Sequence, residues 1–266
     1  MALIHCNFYS KYLAYDTQIN VILPEARDTK VFDETKNHKF QVLYLLHGRG
    51  DDCNGWIRNT SIERYANEHC IAVVMPSGED SFYVDGVSGK LYGKYITEEL
   101  PEIVTRWFPI SDKPEDTFIA GLSMGGYGAA HIGFSNPEKF AGIGLFSAGI
   151  FPEELYGIFD DIFSNANLEQ NLNRVFGTGK IKEKYNIRKI LERKVNENAK
   201  FPTIVQFVGK QDIIYDMNDE FRKYAEFIKL KMYYEEWDGV HDWKFWDAAI
   251  VKALNIFNLK NKPIYY

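Results

Sequence analysis

Short apolar runs recur along this chain with stretches of helical period between them, and that alternation limits the fold more than any other feature. Val42 to Leu46, Ile71 to Met75, Phe118 to Ala120, Ile143 to Phe146, Thr203 to Val208 and Met232 to Trp237 read as strands, the first two as continuous apolar runs, and Gln18 to Leu23 alternates as a half-buried one. Ile62 to Glu68, Thr97 to Trp107, Tyr127 to Phe134, Asn218 to Leu230 and Lys244 to Phe257 read as helices. Strands that alternate with helices predict a mostly parallel central sheet with helices on both faces. The expectation is one α/β domain over residues 1–266.

The rhythm fails once, after Ile143 to Phe146. From about residue 150 to 200 no strand is legible, and a structureless loop of about fifty residues is improbable in a compact domain. Helices are expected there, at Glu153 to Phe163 and Ile187 to Val195, as a cap-like insertion overhanging the C-terminal edge of the sheet. The basic bias of Lys180 to Lys200 fits the solvated face of an amphipathic helix.

Composition serves mainly to exclude. A chain of 266 residues can bury a large core without disulfides. Its net charge of -6 lacks the basic footprint of a nucleic-acid binder. Cys6, Cys53 and Cys70 are odd in number and widely spaced, which fits reduced thiols and no CxxC site. The first ten residues have no basic and apolar signal pattern, and no stretch has the length of a membrane span, so a cytoplasmic location and no membrane partner are expected. There is no HExxH, no histidine pair at metal spacing and no Walker or GxGxxG pattern, so neither a metal nor a nucleotide cofactor is indicated. Oligomeric state is not legible, and a homo-oligomer is compatible with the sequence.

Gly121-Leu122-Ser123-Met124-Gly125 follows an expected strand and precedes an expected helix, the context a GxSxG nucleophile elbow requires. The turn holds the serine in a strained conformation with its oxygen exposed, so residues without bulk must flank it. A serine hydroxyl is a weak nucleophile and needs a base, and the base needs an acid to orient it. In this architecture the chain order is serine, acid, histidine. His131 sits on the helix that follows Ser123 and leaves no room for an acid between them. His241, in a turn after the last strand, is the expected base. Asp212, just past Thr203 to Val208, is the first choice for the acid and Asp216 the second, while Asp238 and Asp242 flank the histidine as turn residues.

An oxyanion hole requires the amide after the nucleophile, here Met124, and a second from the loop after an early strand. His47-Gly48-Arg49-Gly50 is that loop, with Gly48 or Arg49 as donor and His47 holding the loop by hydrogen bonds.

On these residues the chain resembles the esterase D-like family of α/β hydrolases, also counted among the family 1 carbohydrate esterases. The likeness is carried by Tyr44-Leu45-Leu46-His47-Gly48 with Trp56, Val74-Met75-Pro76, Glu99-Leu100-Pro101, Phe118 to Gly128, Gly209 to Tyr215, and His241-Asp242-Trp243 with Trp246. The small intracellular tributyrin esterases are similar in length. The resemblance implies the α/β-hydrolase fold and a Ser123, Asp212, His241 triad. It also implies hydrolysis of small acetyl, butyryl or feruloyl-type esters, including those of carbohydrates. S-formylglutathione hydrolases and acyltransferases are relatives on the same triad, so substrate stays open. A non-catalytic ligand-binding module is the reading from another class. Among the aromatic residues, Trp56, Phe82, Tyr83, Trp243 and Trp246 fall where rings could wall a pocket, with Trp56, Tyr83 and Trp243 taken as substrate-binding.

Overall fold

A computed structural model describes residues 1–25, 39–151, 166–178 and 182–260. One sheet of eight strands runs through the molecule: β1 Ala2–Ser10, β2 Tyr15–Leu23, β3 Val42–Leu46, β4 Ala72–Pro76, β5 Thr117–Leu122, β6 Gly142–Phe146, β7 Thr203–Gly209 and β8 Tyr233–Trp237. Their order across the sheet is β1-β2-β4-β3-β5-β6-β7-β8. β1 and β2 pair antiparallel with each other, β2 pairs antiparallel with β4, and every later pair is parallel. The parallel strands therefore present their C-terminal ends along one edge, where a doubly wound sheet places its ligand sites.

The helices used below are α1 Gly55–Asn59, α2 Ile62–Glu68, α3 Leu100–Trp107, α4 Met124–Ser135, α5 Ala166–Phe176, α6 Ile187–Asn196, α7 Tyr215–Phe227 and α8 Trp243–Ile256. Side chains alternate across a strand, so each central strand feeds two cores. Val42, Tyr44 and Leu46 of β3 join Leu100 and Val104 of α3, Ala129 and Ala130 of α4, and Phe221 of α7 on one face. Leu43 and Leu45 of the same strand join Ile62 and Ala66 of α2 and Phe245, Ala249 and Ala253 of α8 on the other. β3, β4 and β6 are buried along their whole length, which is why they read as continuous apolar runs.

β1 was not anticipated. It alternates half-buried and exposed residues at the sheet edge, and its polar positions hide it among turn-like sequence. Of the expected insertion, the helix at Ile187 to Val195 is present as α6, which packs on α4 through Ile190 and Leu191. The helix expected at Glu153 to Phe163 lies outside the described residues. α5, between β6 and α6, was not expected. No helix among the described residues is long and apolar enough to cross a membrane.

Candidate active site

At the end of β5 the chain turns sharply into α4, and Ser123 occupies the turn with φ of 52°. A serine reaches this left-handed region only at a cost, and the neighbouring backbone holds it there. Its N–H donates to Phe146 O at 2.9 Å, and its carbonyl accepts from Gly149 N at 3.0 Å. The flanking glycines are required by proximity. A Cβ on Gly121 would stand 2.4 Å from the Gly125 backbone, and one on Gly125 would stand 2.5 Å from Leu46 O. The nucleophile turn is thus pressed directly against the end of β3.

β7 and β8 deliver the other two residues. Asp212 follows β7 in a turn closed by its own N–H donating to Gly209 O at 3.0 Å. His241 follows β8, in the turn before α8. The imidazole lies between the two: Nε2 is 2.9 Å from Ser123 Oγ, and Nδ1 is 2.9 and 3.1 Å from the two Asp212 carboxylate oxygens. With Asp212 ionised, Nδ1 carries the proton and Nε2 offers its lone pair to the Ser123 hydroxyl. Burial alone would push the Asp212 carboxyl up. His241, the Ile214 amide at 2.9 Å and the Ser147 hydroxyl outweigh this and hold it below the usual carboxylate value.

Asp216, the second choice for the acid, is exposed in the first turn of α7, a position that suits the helix dipole. Asp242 caps α8 by accepting from Phe245 N at 3.0 Å. Asp238 accepts from Gln211 at 3.4 Å. His131 bonds Lys184 O at 3.0 Å and lies parallel to the Tyr127 ring, tying α4 to the chain before α6.

His47 is buried, which pushes its imidazole down from the ordinary value and keeps it neutral. Gly78 N–H donates to its Nε2 at 2.8 Å, so Nδ1 bears the proton and donates to Gly48 O at 2.7 Å. In a trans peptide the N–H lies opposite the carbonyl, so the Arg49 amide faces away from His47. Gly48, Arg49, Ser123 and Met124 line one cavity of about 430 Å³ together with His241. That volume lies in the range of sites for small molecules.

The rest of the cavity is largely apolar. Phe82, Phe151, Leu168, Ile214 and Met217, which belong to one core, line it together with Leu122, Trp243 and Trp246, which belong to the other, and with Asp51 and Asp242. Trp243 was expected in this wall; Trp56 and Tyr83 were too, but they stand behind it. Trp56 is 1% exposed, donates to Leu46 O at 3.0 Å and meets Trp243 edge-on at 5.3 Å. An indole this deeply buried must satisfy its N–H, and the β3 carbonyl does so. Tyr83 is fully buried, donates to His47 O at 3.1 Å and seats its ring against Gly78 and Gly128. Phe82, beside it, lines the cavity instead. Phe151, Leu168, Ile214 and Met217 were not singled out from sequence, because they come from loops and helix starts without a motif. For Ile214 and Met217 the one available signal was their closeness in sequence to Asp212.

The family model named Esterase matches residues 10–257. The acetyl esterase of Caldicellulosiruptor saccharolyticus is 34% identical over 258 residues, covering 95% of this chain and 97% of that protein. Among solved structures, the substrate-bound fluorophosphonate-binding serine hydrolase F of Staphylococcus aureus is similar with a TM-score of 0.84 and 33% identity, covering 96% of this chain and 97% of that one. The S-formylglutathione hydrolase FrmB of the same organism, an apoenzyme, is similar with a TM-score of 0.78 and 34% identity at the same coverage.

Proposed function

The chain belongs to the esterase family, and from that premise we propose that it is a serine esterase that cleaves small acyl and phenolic esters through Ser123, His241 and Asp212. The observation that carries this reading is the unbroken hydrogen-bonded line from Ser123 Oγ through His241 to Asp212.

Ser123 Oγ attacks the ester carbonyl while His241 Nε2 takes its proton, and Asp212 stabilises the imidazolium. The Met124 amide and that of Arg49 or Gly48 receive the negative charge on the carbonyl oxygen. His241 returns the proton to the leaving alkoxide, and the alcohol departs from an acyl-Ser123. Water then gives a proton to His241 as its oxygen attacks the acyl carbon. Collapse of that second intermediate releases the acid and restores the Ser123 hydroxyl.

An apolar cavity walled partly by rings fits an acetyl or butyryl group, or a single phenolic ring of the feruloyl type. The alcohol side is read as a small molecule, with carbohydrate esters among those that fit. We read residues 150–200 as a cap that supplies part of this wall through Phe151 and Leu168. Free cysteines at 6, 53 and 70 suit a reducing, cytoplasmic setting.

Ser123→Ala is expected to abolish p-nitrophenyl acetate hydrolysis except for the residual ~10³ to 10⁴-fold over water that binding and the oxyanion donors supply. A Ser123→Ala enzyme at wild-type rate overturns the assignment. Profiling the wild type on p-nitrophenyl esters of increasing chain length, methyl ferulate, acetylated xylose and S-formylglutathione separates the ester classes, and an added alcohol acceptor reveals any acyl transfer.

A further inference from the structure

A second cavity, of about 370 Å³, shares no lining residue with the one at Ser123. It lies toward the other end of the sheet: Thr117, the first residue of β5, lines it, whereas Ser123 follows the last residue of that strand. Its volume too falls in the range of small-molecule sites.

Tyr44 reaches this cavity from the middle of β3. Its backbone is closed in by Val74 of β4 and Ile119 of β5, so the ring and hydroxyl are what the cavity meets. Tyr44 is 2% exposed, and its hydroxyl has no hydrogen-bond partner among the described residues. Burial pushes the phenol up from its ordinary value, so it keeps its proton and stands as an unused donor. An unpartnered polar group this deep is costly and marks a place where another molecule supplies the bond.

The wall has the converse character. Thr97 Oγ1 donates to Gly93 O at 2.8 Å, Thr105 Oγ1 to Pro101 O at 2.7 Å, Thr117 Oγ1 to Lys113 O at 2.9 Å and Ser111 Oγ to Asp116 Oδ2 at 2.8 Å. Each hydroxyl proton is committed within the protein, so what these residues offer a ligand is lone pairs. Ile96, Pro101 and Phe140 add apolar surface. Glu102 and Asp112 stand against Lys139, a mixture of signs that selects no ion. Ile96 and Thr97 belong to one π-helical turn, Tyr95–Glu99, in which Leu100 N–H donates to Tyr95 O, and Pro101 then has no N–H to give. Such turns recur at functional sites.

We propose that this cavity is a second, non-catalytic site that binds a neutral monosaccharide, whose hydroxyls donate to the threonine and serine oxygens and accept from Tyr44. A pyranose meets each condition, having no charge, several hydroxyl donors and an apolar C–H face for the Ile96, Pro101 and Phe140 side. The inference stands apart from the triad reading, since no residue is common to the two sites.

The test titrates methyl β-D-xylopyranoside into the full chain, with binding read by saturation-transfer NMR. The wild type is compared with Tyr44→Phe, which removes only the hydroxyl, and with Thr105→Phe, which fills the cavity from α3. Saturable binding is expected in the wild type, about fivefold weaker in Tyr44→Phe, the scale of one neutral hydrogen bond, and absent in Thr105→Phe. Tetrahydropyran, the same ring without hydroxyls, is expected not to compete. Hydrolysis of p-nitrophenyl acetate should be unchanged in Tyr44→Phe, and its thermal midpoint should not fall, because no bond within the protein is lost. Wild-type affinity in Thr105→Phe, together with a KM for p-nitrophenyl acetate that rises with added sugar, would place the sugar at Ser123 and overturn the inference. So would a wild type that binds no sugar, equal binding of tetrahydropyran, or a lowered midpoint in Tyr44→Phe. If Tyr44→Phe does not fold, Thr105→Phe decides alone.

Discussion

At the base of the cavity, Ser123 and His241, with Asp212 buried behind the imidazole, are fixed by directional bonds to one another and to the backbone. In its wall, rings meet rings. Phe82 contacts Tyr127, Phe151 and Phe176 at centroid distances of 5.6, 5.5 and 5.3 Å, and Trp243 meets Trp56 and Trp246 edge-on at 5.3 Å each. Directional bonds tolerate almost no change of atom type, because a lost partner leaves a buried polar group unsatisfied. Ring contacts depend on volume and shape, and they can be exchanged with modest loss. Substitutions in the bonded triad should therefore change how fast every ester reacts, while substitutions in the wall should change which ester is preferred.

The largest expected effect is in the triad. Asp212→Asn leaves the shape intact but lets the imidazole adopt the wrong tautomer, so kcat is expected to fall by about 10³ to 10⁴-fold for short and long p-nitrophenyl esters alike. A loss confined to one chain length would break the comparison. A smaller effect is expected in the wall, where Trp243→Ala opens space beside Trp246. It should shift the ratio of kcat/KM between butyrate and acetate by about tenfold, within what a pocket gains from a few methylenes. Its thermal midpoint should move little, since Trp243 is only half-buried. An unchanged substrate profile would return this ring to a purely structural role.

The smallest effect concerns stability against acid. The carboxyl of Asp212 is held below its unfolded value of about 3.9, so its contribution to stability is complete above that pH and is lost as pH falls through the lower folded value. The difference in thermal midpoint between wild type and Asp212→Asn should shrink as pH is taken below about 4. A difference constant down to pH 2 would mean that the carboxylate gains nothing from its donors.

The same division explains what could be read from the sequence. Gly121 to Gly125 was legible because the elbow demands small residues at fixed offsets, and His241 because the last strand ends just before it. Asp212 was preferred to Asp216 by its place directly after a strand, and the structure brings Asp212 to His241. The wall was not legible. Trp56, in α1, and Tyr83, in the loop after β4, both lie in segments that follow strands, yet whether such a ring faces the cavity depends on where its polar tip finds an acceptor. Ser147 lay unremarked in the turn that ends β6, because a serine bonded to Trp246 belongs to no pattern of spacing. β1 was lost for a related reason: an edge strand with one wet face carries only half the apolar signal of a central one.

Gly121 and Gly125 leave no side chain between the nucleophile turn and the end of β3. Any larger residue at either place would wedge the two apart, so the spacing between the serine and the loop after β3 is fixed by the absence of side chains there. The wall residues meet one another through ring contacts and carry no such constraint on their backbone. A lineage built on this scaffold can exchange its esters one wall substitution at a time while the spacing of its reacting atoms stays untouched.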